Sequence, residues 1–370
     1  VRRDLHAHPE LSHEERRTTA LLADALSHVG LSPRVLPTGT GLICDVGPEP
    51  PTIALRADLD ALPIPDSKDV SYRSTVDGVA HACGHDVHAT VVLGAGLALA
   101  RIASRGELDR GVRLVFQPAE EIVPGGALDV ISAGGLAGIE RIYAVHCDPA
   151  VDVGQVGLRV GPITAATDQV DVRLTGPGGH TARPHLTADL VSALGAVVTQ
   201  VPALLGRRVD PRSGVALVWG QVTSGAAANV IPQSGVLRGT LRTLWRSTWE
   251  TLPPLVDELI RAVAAPYGVG VEVSHIRGVP PVVNDAASVG SLDAAVRSSV
   301  EGGVVCESAQ SLGGEDFAWY LDRVPGALAR LGVRSPGSNV VMDLHQSSFD
   351  VDERCISVGV QLLTGVALAG

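Results

Sequence analysis

The chain has no basic block. Its 29 lysines and arginines are outnumbered by 40 aspartates and glutamates, and a net charge of −11 is spread along 370 residues. The electrostatic footprint of a nucleic-acid binder is therefore missing, which sets aside a metal-dependent nuclease. No run of eighteen apolar residues escapes interruption by charge or turn residues, which argues against a membrane partner. Cysteine is scarce. The five thiols, at positions 44, 83, 147, 306 and 355, are odd in number and widely spaced, a poor disulfide framework that suits a reducing compartment. The sequence opens directly into Arg2-Arg3-Asp4-Leu5-His6 with no readable signal peptide, so a cytoplasmic location is expected. Internal repeats, coiled-coil heptads and low-complexity tails are also lacking.

What the chain does have is apolar bulk, 45 % of its residues, enough for a large core and for two domains rather than one. Residues 14 to 28 carry helical spacing closed by Gly30. Strand-like runs follow at 41 to 46 and 52 to 55, then a buried helix over 87 to 103. A strand at 112 to 116, a short helix near 126 to 133 and a strand at 142 to 145 complete the first part. Strands alternating with helices predict an α/β domain with a mostly parallel sheet flanked by helices. After Thr164 the order becomes strand 169 to 174, helix 187 to 205, strands 215 to 221 and 235 to 242, helix 247 to 266 and strand 269 to 276. That is βαββαβ, the ferredoxin-like plan. The expected organisation is a catalytic domain over 1–165, an inserted lid domain over 166–277, and a return to the catalytic domain over 278–370.

Five separated segments carry the chemistry. Ala82-Cys83-Gly84-His85-Asp86-Val87-His88 offers a thiolate and imidazoles within a few residues, and Gly84 lets the backbone pass close to an ion. Glu120 and Glu121 stand beyond a strand in Phe116-Gln117-Pro118-Ala119-Glu120-Glu121. Adjacent carboxylates point different ways, which suits one binding metal while the other faces water. His146 follows Tyr143-Ala144-Val145 at the end of a strand, His180 lies in Gly178-Gly179-His180, and His345 in Asp343-Leu344-His345. Cys83, His85, Glu121, His146 and His345 make five ligands. That is more than one tetrahedral ion uses and few enough for two ions sharing a bridge. His88 reads as a packing residue at the start of the helix.

The segments Arg3 to Ser12, Arg56 to Ile64, His81 to His88 and Phe116 to Glu121, with Gly179-His180, Asn229-Val230-Ile231-Pro232, Gly239 to Arg242, Gly314 to Phe317 and Leu344-His345, resemble the M20 family of metallopeptidases and amidohydrolases. The match is closest to its branch of N-acyl-amino-acid, hippurate and indoleacetyl-amino-acid hydrolases, and it runs through essentially the whole chain. The resemblance implies metal binding by Cys83, His85, Glu121, His146 and His345, general acid/base work by Glu120, and a homodimer whose lid supplies His180 to an active site. It associates Asn229 and Arg242 with substrate binding. The implied activity is hydrolysis of the amide bond of an N-acyl amino acid by attack of a metal-bound water. Two divalent ions are expected, zinc or manganese, with cobalt and nickel open. A dipeptidase would use the same centre. A metal-stabilised binding protein without turnover would share the ligands but has no use for Glu120. The chain departs from the family at Ala144-Val145-His146-Cys147, where Gly-Leu-His is usual, and at Ile231-Pro232-Gln233, where Ile-Pro-Asp is usual.

Overall fold

The computed structural model describes residues 1–338 and 340–369. They form two compact units. The first comprises Val1–Ile163, Val282–Gln310 and Asp316–Gly370; the second comprises Thr164–Pro281 and the short segment Ser311–Glu315.

The first unit begins with helices α1 (Arg2–Ala7) and α2 (Arg16–Ser27) and strands β1 (Arg34–Val35), β2 (Leu42–Val46) and β3 (Pro51–Asp58). Helix α3 (His85–Ala103), strand β4 (Gly111–Gln117), helix α4 (Ala127–Ser132) and strands β5 (Arg141–Asp152), β6 (Gln155–Leu158) and β7 (Gly161–Pro162) follow. The second unit contributes β8 (Ala166–Thr175), β9 (Gly179–His180), α5 (Leu190–Arg208), β10 (Ala216–Ser224), β11 (Val230–Ile231), β12 (Ser234–Thr243), α6 (Arg246–Ala264) and β13 (Gly270–Val279). The chain then returns to the first unit with β14 (Val283–Asn284), α7 (Ala286–Ser299), β15 (Val304–Glu307), α8 (Ala318–Leu321), β16 (Gly326–Arg334) and α9 (Arg354–Ala369).

The large sheet has the order β1-β2-β4-β3-β5-β16-β6-β15. Its centre, β4-β3-β5-β16, is parallel as expected. Towards the edges it is mixed, because β1 and β2 pair antiparallel, β2 runs antiparallel to β4, and β6 runs antiparallel to β16. The reversal at β6 has a local cause: only Val153 and Gly154 separate it from β5, and Gly154 takes a φ of 93° that turns the chain back. Strand β4 is buried throughout, and its residues serve both faces in alternation. Leu114 and Phe116 join Tyr143, Val145, Ala329 and Leu331 in a core with α2, α3, α7 and α9. Val115 joins Ile142, Ala144 and Leu328 in a core with α4 and α8.

In the second unit the sheet order β10-β12-β8-β13 with antiparallel pairing throughout is the ferredoxin-like arrangement. The buried positions of β8 alternate strictly, and Val170, Val172 and Leu174 pack with the apolar stripes of α5 and α6. Helices α3 and α5 are long and apolar enough by composition to cross a membrane. Each contributes its apolar face to the core of its own unit.

Candidate metal centre

The carboxyl ends of parallel strands in an open α/β sheet are where ligands gather. Strand β3 delivers Asp58 and, two residues on, Asp60. Strand β4 leads into the turn carrying Glu120 and Glu121, and β5 carries His146. Cys83 and His85 bracket Gly84, which caps α3 with a φ of 89°. A Cβ at position 84 would come within 2.7 Å of the Cys147 Sγ, so only glycine fits. His345 is tied to this loop by its own N–H, which donates to the Ala82 carbonyl at 2.7 Å, and it too adopts a left-handed backbone, with φ 61°. His146 does not end its strand. Strand β5 continues to Asp152 because its parallel pairing with β16 runs past His146 to Asp148 and resumes at Asp152.

The five expected ligands of the first unit converge. Cys83 Sγ lies 3.6 Å from His146 Nε2. Glu121 Oε1 lies 3.3 Å from His345 Nε2 and 3.8 Å from His85 Nε2. Glu120 Oε2 is 3.9 Å from the same His85 nitrogen. Three overlapping groups, Cys83–His85–His146, Cys83–Glu121–His345 and His85–Glu120–Glu121, each bring their ligand atoms within 4.8 Å of one another. Among the buried polar atoms without a hydrogen bond are His85 Nε2 and Glu121 Oε1, two atoms that an ion would take. Leaving such atoms unsatisfied is costly. Sulfur, imidazole nitrogen and carboxylate oxygen together form a set suited to a divalent transition-metal ion. The residues fit a buried dinuclear metal-binding site.

Electrostatics agree with that fit. Burial, followed by the Arg330 charge, holds the His146 pKa well below its ordinary value and keeps the ring neutral with a lone pair to offer. Burial and the field of Glu121 push the Cys83 thiol well up, so a cation bound there would have to displace its proton. Burial also opposes charge on His85, but the field of Asp58 leads the effects that outweigh it and raise the pKa well above the usual value. Proton and cation therefore compete for this imidazole.

Three buried acids hold the candidate ligands in place. Asp60, 1 % exposed, accepts from the Glu120 N–H at 3.0 Å and the Glu121 N–H at 2.9 Å. It also accepts from the Ser12 hydroxyl at 2.7 Å and lies 3.3 Å from His85 Nδ1. Glu15 accepts from the Ala119 N–H at 2.8 Å and so steadies a residue with a φ of 53° just before the glutamate pair. Asp58 is bound by Arg56 Nη1 at 2.7 Å and His88 Nδ1 at 2.6 Å. His88 Nε2 accepts from the Cys147 N–H at 2.9 Å. His88 is thus committed to orienting the strand beside His146, as its expected packing role requires. Neither Asp60 nor Glu15 stands out as a site residue in the sequence. The only available signal for Asp60 was its place two residues after Asp58 at a strand end.

His180, Asn229 and Arg242 lie in the second unit. Strands β9 and β11 pair His180 with Val230, and the Thr181 N–H donates to the Asn229 carbonyl, which makes His180 and Asn229 neighbours. His180 Nδ1 accepts from the Ala182 N–H at 3.0 Å, so a neutral ring carries its proton on Nε2. Arg242, near the far end of β12, donates from Nη1 to the Leu312 carbonyl.

The profile of the peptidase family M20/M25/M40 matches residues 54–369. Among curated proteins, the chain is 36 % identical to an N-acetyl-L-cysteine deacetylase of Bacillus subtilis, over 96 % of this chain and 84 % of that protein. It is 52 % identical to a putative glutamate–cysteine ligase of Rhodococcus jostii, over 99 % of this chain but only 46 % of that protein, so it spans about half the length of that relative. Among solved structures, the Bacillus subtilis YXEP protein, described as a dinuclear metal binding peptidase of the M20 family, superimposes with a TM-score of 0.85. It is 32 % identical, over 99 % of this chain and 95 % of that one. With its dinuclear site and its matched length, the chain belongs to peptidase family M20/M25/M40.

Proposed function

We propose that the protein is an amidohydrolase that cleaves the amide bond of N-acyl amino acids, in the branch of N-acyl-amino-acid and hippurate hydrolases. The observation that carries this reading is Glu120. It sits beside His85 and next in sequence to Glu121, in a position to act as a base at the edge of the ligand set. The 36 % identical relative named as an N-acetyl-L-cysteine deacetylase supports an acyl amino acid as substrate. The 32 % identical YXEP protein, a dinuclear metal binding peptidase, keeps a dipeptide as the second reading.

In the proposed site Cys83, His85, Glu121, His146 and His345 hold two divalent ions, zinc or manganese. When bound, such ions supply Lewis acidity and bring the pKa of water towards neutrality. Glu120 accepts the proton of the attacking water as its oxygen bonds to the amide carbon. The same carboxyl then donates that proton to the nitrogen as the carbon–nitrogen bond breaks. His180, with its Nε2 proton set by Ala182, donates to the oxyanion of the tetrahedral intermediate. Asn229 and Arg242 contact the substrate. Apart from its bond to Leu312, the Arg242 guanidinium makes no hydrogen bond among the described residues, which leaves nitrogens to donate to polar atoms of the substrate. The reading includes a homodimer in which His180 serves the partner's site. It also includes a cytoplasmic setting, which suits five unpaired cysteines, four of them buried.

Glu120→Gln is the decisive variant. Metal content and folding are expected to stay near wild type while turnover of N-acetyl and N-benzoyl amino acids falls by about three orders of magnitude or more. Unchanged hydrolysis removes Glu120 from its role. A wild-type protein that takes up metal but turns over no acyl amino acid or dipeptide is a binding protein.

A further inference from the structure

One charged side chain beside the metal ligands has no partner. Arg330, in the middle of β16, is 7 % exposed. Among the described residues it has no hydrogen bond, ion pair or ring contact. Arginine is almost never buried to this degree unless an acid compensates it. The nearest acid by register is Asp148, two residues after His146. Its Oδ1 accepts from the Ala150 N–H at 2.9 Å, and it makes no ion pair with Arg330.

The position is set by the sheet. Arg330 is the register partner of His146 on the parallel neighbour β5, so the two side chains leave the same face, and the Arg330 charge is felt at the His146 ring. On the other side its partner is Gly157 of β6, where a Cβ would come 3.1 Å from the Arg330 Cβ. The missing side chain at 157 leaves room for the arginine. The guanidinium nitrogens are not among the buried polar atoms sealed from solvent, so a small ligand can reach them.

We propose that Arg330 is an anion-binding residue that takes a carboxylate of the ligand whose amide lies at the metal centre. The substrate role rests on the amidohydrolase reading above; the binding role does not. A planar guanidinium with no internal partner is matched to a carboxylate through two parallel hydrogen bonds. The carboxylate belongs either to the amino-acid half of the ligand or to a diacid on its acyl half.

Three probes separate these cases: N-acetylglycine, N-succinylglycinamide and the uncharged N-acetylglycinamide. Binding is measured by calorimetry on the full chain after chelation, where no turnover occurs, and KM and kcat are measured on the metal-restored enzyme. For the wild type, at least one acid is expected to bind about ten- to a hundredfold more tightly than the neutral probe. The preferred acid names the half that carries the carboxylate. Arg330→Met should abolish that preference while leaving the neutral probe unaffected, and on the active enzyme it should raise KM for the acid far more than it lowers kcat. Arg330→Lys should retain part of the preference. If the Met variant does not fold, a loss confined to the acids in Arg330→Lys carries the same test. The proposal is overturned if wild-type protein shows no acid preference, or if the preference survives in Arg330→Met. Failure to hydrolyse any acyl amino acid refutes the proposed function and leaves this binding test standing.

Discussion

Asp60→Asn tests the core of the site, because one buried carboxylate fixes three of its parts. Its two oxygens accept the amides of Glu120 and Glu121 and the Ser12 hydroxyl, and one of them approaches His85. Burial works against the charge, but the His85 and Ser12 side chains and the Glu121 amide outweigh it and hold the Asp60 pKa below its ordinary value. An asparagine has one acceptor oxygen where the aspartate has two. Its NH2 group must face either the Glu120 or the Glu121 N–H, donor against donor. One buried amide then loses its acceptor, at a cost of about 1–3 kcal/mol. Displacement of Glu121 and His85 should lower metal affinity by roughly 10–100-fold, the usual effect of removing a group that orients a ligand. Chemical denaturation in the presence of chelator reads the first effect, and competition against a chromophoric chelator reads the second. An Asn variant with wild-type metal affinity and a stability within about 0.5 kcal/mol of wild type would refute the reasoning, since surface substitutions without a structural role fall in that range.

Gly84→Ala forces a Cβ into a left-handed residue and against the Cys147 sulfur at 2.7 Å. It should cost about 2 kcal/mol or more and weaken metal binding, and a variant that melts and binds like wild type would contradict the packing described. His81 is buried with both ring nitrogens unpartnered, and burial lowers its pKa to about 4. The folded protein therefore resists protonating it while the unfolded chain protonates near 6.5. Its neutral form stabilises fully above that value, and about 3 kcal/mol is lost as pH falls from roughly 6.5 to 4. His81→Leu should flatten that part of the stability–pH curve, and an unchanged slope would show that His81 is not its source. Mixing Glu120→Gln with His180→Ala subunits should restore part of the activity if His180 crosses between chains. No recovery in confirmed heterodimers would place it in its own subunit's site or outside the reaction.

The main helices and strands up to residue 276, the candidate donors and the family are legible in the sequence. Local periodicity is enough to mark β8 as a half-buried strand and α3 as a core helix, since side-chain spacing of two or near four is written in neighbouring residues. The types and order of Cys83, His85, Glu120, Glu121, His146 and His345 are likewise legible along the chain. Which residues share a neighbourhood is set by the fold. The antiparallel pairing of β2 with β4 follows from strand order, which no local pattern encodes. Asp60 gains its meaning from meeting Glu120 and Glu121 some sixty residues away, and Arg330 from standing beside His146 with no acid to answer it. A single aspartate or arginine has no periodicity to read. Its role is set by what the folded sheet places within hydrogen-bonding distance and by the water that burial removes.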